Sequence, residues 1–349
     1  MVKPAKKRKQ GLIRRRVYIL GAGASASCGI AVAKDILAES VTRLGNRDAK
    51  SKKLVHDLLS YLYPSFNETL RNYPNIEDFL NLLEMAKSFN TEEFIESSLW
   101  PKHRLDSVRN VTLKAVTDYL WERIQKSDSL NPIKAFATNN LNYSDTVVTF
   151  NWDVTLERGL WDREDEFWMP YTYNRKRTGK YITILKPHGS IDWFKKNDLS
   201  RKVLKTAEKL DDEVRLYPHF NFSKHPELSQ VLPVIVPPIA SKSFEYECLK
   251  KTWRSIYRAV ADATDLHIIG YSLPKEDQFA RLVLRRALRS NLLRMGKHEK
   301  RPLRIIVVNP DDNAAVTFNR LAATKIPVAY YQARIEDYIN WLNPWSSED

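Results

Sequence analysis

The sequence predicts an α/β protein: a parallel sheet covered by helices on both faces, with a helical subdomain inserted into it. Three observations carry this. Short, near-continuous Val/Ile/Leu runs recur along the chain, "VYIL", "TVVTF", "YITILKP", "LPVIVP", "DLHIIGY", "LRIIVVN" and "IPVAYY", and such runs suit strands buried on both faces. Amphipathic stretches such as "FEYECLKKTWRSIYRAVADA" and "DQFARLVLRRALRSNLL" separate the later runs, giving the alternation of strand and crossover helix that a parallel sheet needs. Between the first run and the rest, residues 50–145 lose strand character and read as successive helices.

The N-terminus, "MVKPAKKRKQGLIRRR", holds eight Lys and Arg and no acid, more than half of the net charge of +14. It reads as a basic flexible tail, either solvated or in contact with nucleic acid or another anionic partner. The run "VYIL" then leads into "GAGASASCGI", which places three of the ten glycines within nine positions. A strand, a tight turn and a helix follow from that pattern. The spacing Gly21-x-Gly23-x-x-Ala26 satisfies the G-x-G-x-x-G/A fingerprint of Rossmann-like sheets, in which backbone amides and a helix N-terminus face phosphate. Glycine used only to reverse the chain satisfies it equally well. The acidic residue usual about 20 positions later would be Glu39, yet "KDILAESVTRL" has helical spacing, so the ordinary dehydrogenase βαβ unit is not supported.

The helices of the insertion are "SKKLVHDLLSYLY", "NIEDFLNLLEMAKSF", "TEEFIESSLW" and "DSVRNVTLKAVTDYLWERIQ", broken at Pro64, Pro74, Asn90 and Pro101. Residues 195–226 are polar enough to form a surface excursion or mobile loop. The division is therefore a tail at 1–16, a Rossmann-like domain made of 17–49 and 146–349, and a helical insertion at 50–145.

Composition excludes several classes. No run approaches the roughly 18 apolar residues of a membrane span, and the charged start lacks a secretory h-region, which predicts a soluble cytoplasmic protein with no membrane contact. Two cysteines, Cys28 and Cys248, cannot build a disulfide framework or a four-cysteine zinc site. Cys28 is either a reactive thiol in the glycine loop or a small packing residue. No His or carboxylate spacing suggests a metal, and His267 reads as a packed strand residue. Arg281, Arg285 and Arg289 share one helix face and meet phosphate, a neighbouring subunit or solvent.

In a parallel sheet, ligands bind beyond the carboxyl ends of the strands. The residues at those ends are "GAGAS" (Gly21 to Ser25), "TFNWD" (Thr149 to Asp153), "HGS" (His188 to Ser190), "GYSL" (Gly270 to Leu273) and "VVN" ending at Asn309. In this order they resemble the sirtuin superfamily, and more closely its prokaryotic sirtuin-like branch, over roughly residues 17 to 49 and 146 to 331; "PNIEDFLNLLE" and "GYSLPKEDQFARLVL" also look like that branch. Two departures separate the chain from the deacylating members. It has no Cys-x-x-Cys pairs for their zinc module, and it has "GIAVAKDI" where they carry a G-I-P-D-F-R type segment.

The resemblance implies NAD as substrate, no zinc, and NAD hydrolysis to nicotinamide and ADP-ribose, often as a toxic effector of antiphage defence. It makes Asn151 and His188 the catalytic pair. An amide can both donate and accept, which suits it to position a water or the ribose. An imidazole titrates near neutrality and can take a proton from a ribose hydroxyl. Gly21, Ala22 and Gly23 of the turn would bind the dinucleotide, Ser25, Gly270, Ser272 and Asn309 would line the phosphates and adenosine ribose, and Asp153 would contact the nicotinamide end or order its loop. Asp311 either joins them or caps the next helix. Trp152 and Trp193 either wall the nicotinamide pocket or are simply buried. The implied partners are further copies of the chain, a HerA-type ATPase or an Argonaute, with the acids of "TEEFIESS" as one contact surface. An NAD-dependent protein deacylase and a non-catalytic NAD- or ADP-ribose-binding subunit are the competing readings.

Overall fold

Strand β1 (Arg16–Leu20) is formed by the first apolar run and is buried after Arg16. It belongs to a computed structural model that describes residues 14–45, 48–125, 131–161, 171–173, 181–217, 225–237, 246–295, 302–322 and 326–342. After β1 come a one-turn helix α1 (Ala22–Ala26) and α2 (Ala33–Leu44). The expected helical region follows as α3 (Ala49–Leu62), α4 (Ile76–Ser88), α5 (Glu92–Ile95), α6 (Lys102–Gln125) and α7 (Asn131–Asn139). The chain continues through β2 (Thr146–Thr149), α8 (Thr155–Trp161), β3 (Tyr171–Tyr173), β4 (Ile182–Leu185), β5 (Gly189–Lys195), α9 (Arg201–Thr206), β6 (Glu208–Lys209), β7 (Val214–Leu216) and β8 (Pro233–Ile235). It ends with α10 (Glu247–Asp262), β9 (Asp265–Ile269), α11 (Gln278–Met295), β10 (Arg304–Val308), α12 (Asn313–Leu321), β11 (Val328–Tyr331) and α13 (Ile335–Leu342).

Seven strands form one sheet in the order β11-β10-β9-β1-β2-β4-β3, and every pairing in it is parallel. The α/β Rossmann-like architecture is thus present, with β1 at its centre. Alternation along the strands divides the packing into two faces. Tyr18 and Leu20 point to a core shared with α7, α8 and α13, while Val17 and Ile19 point to one shared with α10, α11 and α12.

Three expectations need correction. The run "LPVIVP" does not enter the parallel sheet. It supplies β8, the edge of a separate antiparallel sheet ordered β6-β7-β5-β8. A short apolar run looks the same in either sheet, and Pro233 at its start suits an edge strand. The segment expected to be a loose excursion is ordered over 195–217, where Asp211 accepts from the amides of Glu213, Val214 and Cys248; 218–224 lie outside the described residues. Of the basic tail, 1–13 also lie outside them, but Arg14 to Arg16 are not a free tail. Arg16 grips buried Asp145 through Nε at 3.1 Å and Nη2 at 2.9 Å, and Arg14 reaches buried Asp265 at 3.2 Å.

The hydrophobic cores do not divide at residues 49 and 145. Ile36, Leu37 and Val41 of α2 pack with α3 to α6, whereas Ile133 and Phe136 of α7 pack against the sheet. Trp152, Val154 and Ile191 also enter the helical core, so the lobe sits directly on the loop that follows β2. Among the described residues no helix is long and apolar enough to cross a membrane.

Candidate functional site

The strand order fixes where a site can form. From β1 the chain builds outward through β2, β3 and β4, then returns past β1 to build β9, β10 and β11 on the other side. The reversal lies between β1 and β9, and the carboxyl ends at such a switch point are where open α/β sheets bind ligands.

There the glycine turn meets the end of β9 backbone to backbone. A Cβ on Gly21 would stand 2.6 Å from the Gly270 carbonyl oxygen, and one on Gly23 2.8 Å from the Gly270 Cα. Gly270 itself has φ +60, and its Cβ would lie 2.3 Å from the Ala24 nitrogen. The glycines are therefore required first by each other. Their amides are engaged too: Gly21 donates to the Ile269 carbonyl at 3.1 Å, Gly23 to that of Gly270 at 2.9 Å, and Ala24 to that of Gly21 at 2.9 Å. The expectation that the Gly21 and Gly23 amides cradle phosphate is corrected accordingly. The fingerprint spacing is satisfied by loop-to-loop packing.

Asn151 comes to this turn. Its Nδ2 donates to the Gly21 carbonyl at 3.0 Å and to Ser25 Oγ at 2.9 Å. Because a backbone carbonyl can only accept, the amide orientation is fixed, and Oδ1 is left as the acceptor, without a hydrogen bond among the described residues. The neighbours of Asn151 hold it: Phe150 and Trp152 are buried in opposite cores, the sheet face and the helical lobe. Ser25, expected at the phosphates, is buried and lies 3.3 Å from Thr155 Oγ1. Asp153, also buried, accepts at Oδ1 from the Thr155 amide at 3.0 Å and hydroxyl at 2.6 Å, which is the loop-ordering alternative for that residue.

Beneath this chain lies a charged pair that the sequence did not announce. Lys186 donates to Glu157 at 2.9 Å with both side chains fully buried, and also to the Asp153 carbonyl. Nearby Asp192 is pushed up to about 7 by burial, with Lys186 acting against the shift and Glu157 with it.

His188 follows β4, the neighbour of β2. Gly189 after it has φ +74 and no room for a Cβ, which would stand 2.0 Å from the Val234 carbonyl oxygen. That is where the chain leaves one sheet for the other. His188 is 3% exposed. It meets Phe150 edge-on with centroids 5.2 Å apart and lies 6.2 Å from Trp253, and its Nε2 is 2.9 Å from Asp277 Oδ2. Phe150 stacks on Tyr271 at 4.1 Å. Asn151 and His188 are thus joined through Phe150, the amide at the glycine turn and the imidazole behind the ring, and no hydrogen bond links them directly.

The other expected residues spread along the same rim. Ser272 is exposed beside Gly270. Asn309, nearly buried, accepts at Oδ1 from the Asp311 amide at 3.0 Å. Asp311 accepts from the Asn313 amide at 3.0 Å, so it orders the start of α12. Cys28 is buried with its thiol pushed up to about 12 by that burial, which favours the packing reading. Trp152 and Trp193 are core residues. His267 is buried against Tyr18 with centroids 4.9 Å apart and is driven down to about 4 by burial. Asp277 was missed as a partner of His188, although an acid just before the helical pattern "QFARLVLRR" is a capping signal. Among the described residues no group of three or more His, Cys, Asp or Glu could hold a metal ion.

No model of a known protein family matches this sequence, and no curated protein matches it. Solved Sir2 structures align along most of its length. A Sir2Tm bound to a propionylated peptide is 15% identical, covering 95% of this chain and 93% of its own, with a TM-score of 0.35. A structure described as bearing on the mechanism and regulation of Sir2 enzymes is 13% identical over 96% of this chain and 94% of its own, with a TM-score of 0.41. A complex of Sir2 with a p53 peptide and NAD+ is 14% identical over 95% and 93%, with a TM-score of 0.36.

Proposed function

We propose that the protein is an NAD glycohydrolase, cleaving NAD to nicotinamide and ADP-ribose. The observation that carries this reading is Asn151, clamped by the Gly21 carbonyl and Ser25 Oγ at the switch point of the sheet with its amide oxygen left to accept. The ordered strand-end motifs, which resemble those of sirtuin-like proteins, supply the substrate. In the reaction the C1′–N bond breaks, nicotinamide leaves as a neutral base with the bonding pair, and the ribose passes through an oxocarbenium-like state. Water adds at C1′ and loses a proton. Asn151 Oδ1 would accept from that water or from a ribose hydroxyl and so fix its approach. His188 would take the proton from a ribose hydroxyl as the charge develops. Ser272 and Asn309, beyond β9 and β10, would meet the adenosine half.

An enzyme that empties the NAD pool must be restrained, and the burial of His188 supports a gated form. We extend the proposal to an effector of antiphage defence, released when the chain assembles with copies of itself, a HerA-type ATPase or an Argonaute. The test follows nicotinamide by chromatography after mixing the purified chain with NAD, alone and with each partner. Release that disappears in Asn151→Ala and His188→Ala supports the reading. Consumption of NAD only with acylated peptide present would make the protein a deacylase, and calorimetric NAD binding without product a non-catalytic subunit; either result overturns it.

A further inference from the structure

We propose that Asp277 is the positioning residue of His188: it fixes which ring nitrogen carries the proton and stabilises the imidazolium formed when the other takes one up. The inference rests on the hydrolase reading for its consequence in turnover, but not for its geometry. The two residues come from strands that are not neighbours. His188 follows β4 and Asp277 follows β9, with β1 and β2 between them. Residues 270–277 must therefore cross the carboxyl ends of two strands to deliver the carboxylate.

The crossing segment is built to hold its shape. Leu273 sits at φ +55, a conformation that a branched side chain adopts only when its surroundings enforce it. Arg281 clamps the segment from α11, donating to the Leu273 carbonyl at 2.5 Å and the Pro274 carbonyl at 3.1 Å. Asp277, itself fully buried, accepts from the Ala280 amide at Oδ1 over 3.1 Å and so caps the 18-residue α11. Its other oxygen, Oδ2, faces His188 Nε2 at 2.9 Å. One carboxylate thus ties the helix to the imidazole. Tyr271, held well above its usual range by burial and by Asp277, stays a neutral phenol beside it. The charged groups acting on Tyr271 in this cluster are Asp277, Glu77 of α4 and Arg281 of α11, and on the α10 side the imidazole meets the Trp253 ring.

The 2.9 Å contact is ionic rather than an aligned hydrogen bond, and a carboxylate that close to Nε2 favours the proton there, which assigns Nδ1 as the basic nitrogen. Replacement by asparagine inverts this. In Asp277→Asn, with the amide oxygen retained on the Ala280 N–H, the side-chain NH2 would face Nε2 and donate to it, moving the imidazole proton to Nδ1 and removing the base. Asparagine is as good a cap as aspartate, so α11 keeps its start.

The test uses the full chain as wild type, Asp277→Asn and Asp277→Glu. With 15N-labelled histidine and the His188 signals assigned through His188→Gln, the wild type should show an Nε2-protonated ring and Asp277→Asn an Nδ1-protonated ring that titrates at lower pH. This readout stands whether or not NAD is cleaved. In turnover, Asp277→Asn should lower kcat by about 10²- to 10⁴-fold with little change in KM, and Asp277→Glu should recover part of it. The same tautomer and titration in wild type and Asp277→Asn would overturn the proposal, as would a kcat within about twofold of wild type. A tautomer switch in a chain that never releases nicotinamide would keep the dyad and remove the hydrolase reading instead.

Discussion

Asn151 is held by donation, and that decides how a change there reads out. Asn151→Ala removes two hydrogen bonds from a half-buried site, costing about 1–2 kcal/mol of stability. Nicotinamide release should fall by at least about 100-fold while the melting temperature drops only a few degrees. A variant that keeps full turnover would remove Asn151 from the chemistry. Asp192 gives a second residue-scale prediction, in stability. Its folded value, pushed up to about 7, lies above that of an unfolded aspartate near 3.8, so the folded state holds a proton that the unfolded chain has already released. The stability contributed by Asp192 is complete below about pH 4, is lost as the pH rises towards 7, and does not change above that. In urea unfolding across pH 4–8, Asp192→Asn should abolish most of that decline, which is on the order of a few kcal/mol. Parallel curves for the two proteins would refute the assignment.

At the scale of elements, the loops after β1 and β9 behave as one unit. Gly270→Ala would place a Cβ 2.3 Å from backbone at φ +60, and Gly29→Ala has a similar φ of +72 but nothing within 4 Å. The first should cost about 3 kcal/mol or more and the second about 1 kcal/mol, a contrast that thermal melts of the two variants can read directly. Equal losses would mean that the close approach of the two loops does not matter. The same elements show what a sequence can and cannot disclose. The parallel strands were legible because Val/Ile/Leu runs flanked by helical patterns have few other uses, and the glycine turn because three glycines in nine residues demand close backbone approach. What the turn approaches was not legible: its partner is another loop, brought in by a strand far along the chain. The second sheet was missed because β6 and β7 are only two and three residues long, and their order depends on Asp211, an aspartate like any other in the sequence. His188 could be named from its position after a strand, but its carboxylate partner belongs to a helix cap that sequence spacing does not relate to it.

Across the whole molecule, the two ends of the parallel sheet do different work. The amino ends of β1, β9 and β10 are held by charges: Arg16 on Asp145, and Arg14 and Arg304 on Asp265. Burial alone would raise Asp265, but Arg304, Thr264 and Arg14 overcome it and hold the carboxyl below its usual range. The carboxyl ends carry the glycines, Asn151 and Asn309. Arg16→Ala leaves a buried carboxylate without its guanidinium, which should cost about 3 kcal/mol. Nicotinamide release per folded molecule should stay at the wild-type level, because nothing at the opposite rim is touched. Release that falls in step with Asn151→Ala would show instead that the two rims are coupled.

The central place of β1 governs when the protein can act during its own synthesis. The amide of Arg15 is hydrogen-bonded to Thr264, 249 positions later, and β1 finds its neighbour β9 only when that stretch has left the ribosome. Until then Gly21 has no Gly270 to pack against, and the imidazole has no carboxylate. A nascent or prematurely terminated chain therefore cannot assemble this rim of the sheet, a dependence set by strand order.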